Sequence, residues 1–216
     1  TDSEGYPGSP LQLLKEARGK ERVNCEGLRK PLTFTFGEAV KKKFNELERN
    51  LSRHISDCMR EHDCSDCVFH YDVLNEAFVD VFSSESARSI LEARDVGKFI
   101  LLDQNGFKEI DEDVFRKLIS YPKTDFIFFI SSSFVKRFKE HPNTLAHLEA
   151  DNIDFEGSRP VDCHRVIADY FRKQVPEGHS YFLHHFTIKK QANYYGLIFG
   201  TSHSYGMEKF LKVCWK

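Results

Sequence analysis

Apolar residues along the chain fall into two patterns, and each predicts an element type. Steps of three and four mark helices. The clearest series is Val40, Phe44, Leu47, Leu51, Ile55 and Cys58, with Lys41 to Lys43 and several glutamates between them. That lysine run is most simply the solvated face of the helix. A shorter helix is predicted over Leu11 to Arg18, its start marked by Ser9-Pro10. Others follow through Leu74, Phe78, Val81 and Phe82, interrupted at Ser83 to Ser86 and resuming through Ile90. A further one runs through Val114, Phe115, Leu118 and Ile119, closed by Pro122. Later helices are predicted over Val161 to Val175 and Met207 to Trp215.

Short β-prone runs mark strands: Leu32 to Phe36, ended by Gly37; Cys67 to His70, after a loop from Arg60 to Asp66; Lys98 to Asp103; and Asp125 to Ile130. The last two are nearly continuous apolar runs. That pattern belongs to strands buried on both faces, as in a parallel sheet covered by helices. The alternation of strand and helix from Leu32 to Ile130 points the same way. Tyr181 to Ile188 and Tyr194 to Phe199 are then joined by Lys189 to Asn193, too short a link for a parallel crossover, so this pair is predicted antiparallel. Between these regions Phe134, Phe138, Leu145 and Leu148 lie in helical or loop segments, and Asp151 to Pro160 is polar and turn-rich. The expected fold is α/β: a mostly parallel sheet, helices on both faces and a C-terminal antiparallel hairpin, in a single domain spanning residues 1–216.

Composition narrows the function classes. With 40% apolar residues in 216, the chain can bury a sizeable core. Thirty-one basic against 33 acidic side chains give a formal charge of -2, which argues against a strongly electrostatic nucleic-acid binder. No apolar run approaches the ~18 residues of a membrane span. Six cysteines, unevenly spaced, do not make a disulfide scaffold, so reduced thiols in a cytoplasm are expected.

In open, mostly parallel sheets ligands bind beyond the carboxyl ends of the strands. Three acids lie at such places: Glu38, two past Phe36; Asp72, two past His70; and Asp103, which ends its strand. An acid after the second strand accepts from a ribose hydroxyl pair, and the next can accept from an adenine amino group. Helix capping explains the same positions without any ligand.

Several stretches resemble the three-Cys-motif partner (TcmP) family. They are Gly8-Ser9-Pro10 with Leu11, Leu13 and Leu14; Phe36-Gly37-Glu38; Tyr71-Asp72-Val73-Leu74-Asn75-Glu76; and Phe99 to Gly106, which is similar to that family's strand ending in Asp-Pro-Phe-Gly. Tyr194 to His203, then Gly206, Met207 and Cys214-Trp215-Lys216, resembles its C-terminal signature. The resemblance implies a Rossmann-like, class I methyltransferase fold, S-adenosylmethionine as cofactor and a three-Cys-motif protein as partner. It also implies that Glu38 holds the cofactor ribose, Asp72 approaches the adenine and Asp103 faces the methyl-accepting group. The alternative it leaves is a catalytically inactive binding protein of the same fold. Two departures stand out. Gln104-Asn105 replaces Pro-Phe, and the family's first strand with its glycine-rich loop, expected before Gly8, is absent from the chain. Strands near Phe34, Phe69, Leu101, Phe128, Leu183 and Ile198 account for the others. The expectation is therefore a central first strand supplied from before Thr1. Direct pairing of the strand at Leu32 with that at Phe99 would contradict it.

A second constellation is His54, Cys58, His62, Cys64, Cys67 and His70. Cys64-Ser65-Asp66-Cys67 has zinc-knuckle spacing, and His54, Cys58 and His62 share a helical face. Only one knuckle is present, and Cys58 and Cys67 are equally explained as core positions, so no metal site is assigned. His179, His184, His185 and His203 gather in the C-terminal third; His184 and His185 must face opposite sides of a strand. Ser202-His203-Ser204 could line a pocket or cap a helix. Serine-hydrolase elbows, phosphate-binding loops and His-Glu-x-x-His are all missing from the sequence.

Overall fold

In a computed structural model the structure describes residues 8–19, 32–102, 110–131, 159, 161–190 and 193–215. They fall in two compact units, Thr1–Ser84 and Glu85–Lys216, taken here one at a time.

The first unit contains α1 (Ser9–Arg18), β1 (Leu32–Gly37), α2 (Lys41–Glu61), β2 (Phe69–Leu74) and α3 (Phe78–Ser83). β1 and β2 pair in parallel, from Leu32 opposite Phe69 to Gly37 opposite Leu74. The core is small: Leu14, Leu51, Phe36 and Phe69 are buried, and Leu11, Phe34, Leu47 and Val73 pack around them. Phe34 stacks on Phe36 and meets Phe69 edge-on, an arrangement that aromatic quadrupoles favour. The apolar stripe of α2 faces this core as its spacing predicts, although only Leu51 is fully buried.

One boundary differs, with consequences for the site. β2 runs from Phe69 to Leu74 rather than from Cys67 to His70. His70 and Asp72 are exposed and Phe69 is buried, an alternation that belongs to a strand with one wet face. Leu74, assigned by its spacing to the next helix, is the last residue of the strand.

The second unit contains α4 (Glu85–Glu92), β3 (Lys98–Leu102), α5 (Glu112–Ser120), β4 (Thr124–Ser131), α6 (Cys163–Lys173), β5 (Phe182–Lys190), β6 (Asn193–Thr201) and α7 (Ser204–Cys214). The sheet order is β3-β4-β6-β5. β3 and β4 are parallel, while β4–β6 and β6–β5 are antiparallel. The expected hairpin is present, with strands longer than predicted and only residues 191 and 192 between them. Among the described residues parallel and antiparallel pairings are equally represented. The hairpin docks on β4 through β6, which makes two of this sheet's three pairings antiparallel.

Each face of this sheet carries helices. On one face Phe126, Phe128 and Ile130 of β4 meet Phe115 of α5 and Phe171 of α6, all essentially sealed from solvent. On the other, Phe210 of α7 stacks on Phe199 at 4.5 Å. The first face also needs two glycines. A Cβ on Gly200 would lie 2.3 Å from Phe126, and one on Gly196 would lie 2.1 Å from the ring of His164. β1 belongs to the two-stranded sheet of the first unit and β3 to the four-stranded sheet of the second.

Candidate functional site

Of the three acids singled out in the sequence, Glu38 lies at the carboxyl end of the β1–β2 pair. Glu38 follows β1 directly. Its amide donates to the Leu74 carbonyl at 3.0 Å, extending the ladder one step past the strands. Its carboxylate Oε1 accepts from the Val40 amide at 2.8 Å. Asn75, just past β2, donates through Nδ2 to the carbonyls of Glu38 at 2.8 Å and Ala39 at 3.1 Å. The backbone carrying Glu38 is thus pinned to the end of β2, and the half-buried carboxylate is aimed by its own turn. The turn bond is the local, capping-like role that the position alone suggests. It uses one oxygen of a group with about four lone-pair sites, so acceptor capacity remains.

Asp72 does not join Glu38. It sits inside β2, opposite Thr35, on the exposed face. With a rise of about 3.3 Å per residue, it lies about 10 Å short of the level of Glu38 along the strand. Its sequence position pointed to the strand end because the strand was read as stopping at His70. The acid that does lie at the carboxyl end of β2 is Glu76, whose backbone carbonyl is 3.6 Å from where a Gly37 Cβ would be. The signal for it was available: extending the exposed alternation His70, Asp72 onward carries the strand to Leu74. Asp103, with Gln104 and Asn105, lies outside the described residues.

The cysteine–histidine constellation does not converge. The Arg18 guanidinium meets His54 Nε2 at 3.2 Å, tying α1 to α2. Burial, then the nearby Arg18 and Lys15 charges, hold His54 below the usual histidine range. The Cys67 amide bonds the Asp66 carboxylate at 2.8 Å, and Cys64 Sγ points at the His62 carbonyl. Among the described residues no three His, Cys, Asp or Glu side chains are arranged to hold a metal ion.

In the second unit the histidines serve separate local roles. His203 Nδ1 accepts from the Tyr205 amide at 3.1 Å, capping α7. His179 Nε2 pairs with the Ile119 carbonyl at 3.0 Å. His184 approaches Phe210 on the α7 face, and His185 belongs to the opposite, α6 face, although the two rings come within 5.3 Å on this edge strand. Burial holds both below the usual histidine range.

One buried ionisable group was not singled out in the sequence. His164, in the first turn of α6, is fully buried. Its Nδ1 lies 3.0 Å from Thr187 Oγ1, and its ring rests on Gly196. Its Nε2 is sealed from solvent without a hydrogen-bond partner. Burial, then the neighbouring His185, pushes it down to about 4. The spacing of His164, Ile167, Ala168 and Phe171 on one helical stripe was the available clue.

No protein-family model matches the chain, and no curated protein matches it. Among solved structures, one described as "Putative methyltransferase yhhF from Escherichia coli" aligns over 92% of this chain and 88% of that chain, with 11% identity and a TM-score of 0.32. A likeness that loose decides nothing about fold or activity. Among the described residues no helix is long and apolar enough to cross a membrane.

Proposed function

We propose that the chain is a class I methyltransferase-like protein, of the three-Cys-motif partner kind, that binds S-adenosylmethionine in the cytoplasm. Strand connectivity within each unit carries this reading. Each unit holds a strand–helix–strand repeat with its two strands parallel, β1–α2–β2 in the first and β3–α5–β4 in the second, which is the repeat of a doubly wound sheet. In the second unit β6 and β5 extend the sheet as an antiparallel hairpin.

On this reading the acid at the carboxyl end of β1 is the one that holds a ribose. Glu38 suits that role: it is half-buried, its backbone is fixed by Leu74 and Asn75, and its carboxylate retains acceptor capacity. Asp72 does not suit the adenine, being in mid-strand on the exposed face. Glu76 takes its place at the end of β2. When bound, S-adenosylmethionine supplies an electrophilic methyl group; the part of Asp103 in presenting an acceptor rests on the family resemblance.

The test is calorimetry of the full-length protein with S-adenosylmethionine. Binding is expected, with Glu38→Gln weakened roughly tenfold or more, the worth of a charge-assisted hydrogen bond. Asp72→Asn should leave affinity unchanged. A folded full-length protein that binds no cofactor overturns this reading. The alternative, an inactive binding protein acting with a three-Cys-motif protein, is favoured by Gln104-Asn105, which removes the rigid apolar wall of the family's Pro-Phe.

A further inference from the structure

Three elements of the second unit converge on His164. It projects from the first turn of α6 onto the sheet face formed by Ile130 of β4, Thr187 of β5 and Gly196 of β6. Gly196 is what admits the imidazole, since any side chain there would occupy the same space. A neutral ring has one donor and one acceptor nitrogen. With Nδ1 engaged by Thr187, Nε2 is sealed from solvent and meets no hydrogen-bond partner of good geometry among the described residues. In the neutral tautomer with the proton on Nδ1, the bare group is only a lone pair. Protonation places a charge on a ring that burial has stripped of water, a costly condition for a buried polar group that the Ile130 backbone offsets only in part.

We propose that His164 is a proton-operated latch: neutral, it holds α6 against the β5–β6 hairpin, and on protonation in mild acid it releases them. Among the described residues the one compensation for the charge is a backbone hydrogen bond to Ile130, and burial outweighs it. Gly196 has no side chain and Thr187 is uncharged, so neither adds a counter-charge. The ionisable group acting on it from β5 is His185, which itself sits under the influence of His184, Asp169, Arg172 and Arg165 and adds positive charge when it protonates. Acid therefore loads two neighbouring cations onto one closed face.

The sign follows from linkage. His164 takes a proton near 6.5 when exposed but only near 4 when buried. The contribution to closure is complete above 6.5 and is lost progressively as pH falls toward 4. From those two values the open form gains about 20-fold on the closed form between pH 7 and pH 5.

Hydrogen exchange on the full chain reads this directly. After correction for intrinsic exchange, protection of the α6 amides should fall about 20-fold between pH 7 and pH 5. In His164→Asn, the amide group keeps a partner for Thr187 near the Nδ1 position but cannot take a proton, so the fall should disappear. His185→Asn should retain most of it. A parent whose α6 protection is flat with pH overturns the latch, as does a His164→Asn protein that keeps the full fall. Should His164→Asn not fold, ring NMR of the parent decides: titration near 4 supports the latch, and titration at 6 to 7 overturns it.

Discussion

Replacing Gly200 with alanine tests the packing logic of the second unit at its tightest point. The new Cβ would lie 2.3, 2.6 and 2.8 Å from three ring carbons of Phe126. An ordinary carbon contact is about 3.5 Å, so the overlap exceeds about 1 Å at the nearest atom. Phe126 has nowhere to go. It is fully buried, stacked between Phe128 and Tyr181 with Phe115 edge-on, and Tyr181 is anchored by its hydroxyl to the Thr124 carbonyl at 2.8 Å. Overpacking of this kind costs about 1 to 3 kcal/mol, and the caged ring places Gly200→Ala near about 3 kcal/mol. Urea unfolding followed by circular dichroism should show a lower midpoint at an unchanged slope. Phe126→Leu shortens the ring side chain, so the double variant should cost less than the sum of the singles by more than about 1 kcal/mol. A Gly200→Ala protein within about 0.5 kcal/mol of the parent, or strict additivity, would refute the steric argument.

In α5 the Asp111 carboxylate accepts from the Val114 amide at 2.8 Å, and Asp111→Ala should lower stability by about 1 kcal/mol, read from the same urea midpoint. Leu51, fully buried among Leu14, Phe36 and Phe69, is the anchor of a small core. Leu51→Ala should therefore open a cavity and cost about 3 kcal/mol, seen as lost exchange protection in α2. The exposed Arg60–Asp57 pair, at 2.7 Å, is the contrasting case: Arg60→Ala should leave the unfolding midpoint unchanged within error.

Much of the secondary structure was legible because it is encoded locally. The run Phe126 to Ile130 reads as a strand and is one, with Phe126, Phe128 and Ile130 buried and Ile127 and Phe129 half-buried. Exposed Phe99 leaves β3 open on one face, and Pro122 closes α5 where expected. The α2 stripe reads correctly because a helix displays its period without help from neighbours. The short link between the last two strands leaves only an antiparallel solution. β2 was misread because its polar alternation, His70 and Asp72, becomes a strand only when β1 pairs alongside it. That misreading moved Asp72 to a strand end it does not occupy.

Sequence by itself therefore determined a mixed α/β chain with a C-terminal hairpin, and it put Glu38 at a strand's carboxyl end. The tertiary structure decided which residues meet: that Asn75 fixes the Glu38 loop, that the cysteines and histidines do not converge, and that Gly196 opens a place for His164. The reason is physical. Helix and strand periods depend on neighbours a few residues away, whereas burial, charge state and close approach depend on which distant strand pairs at which register.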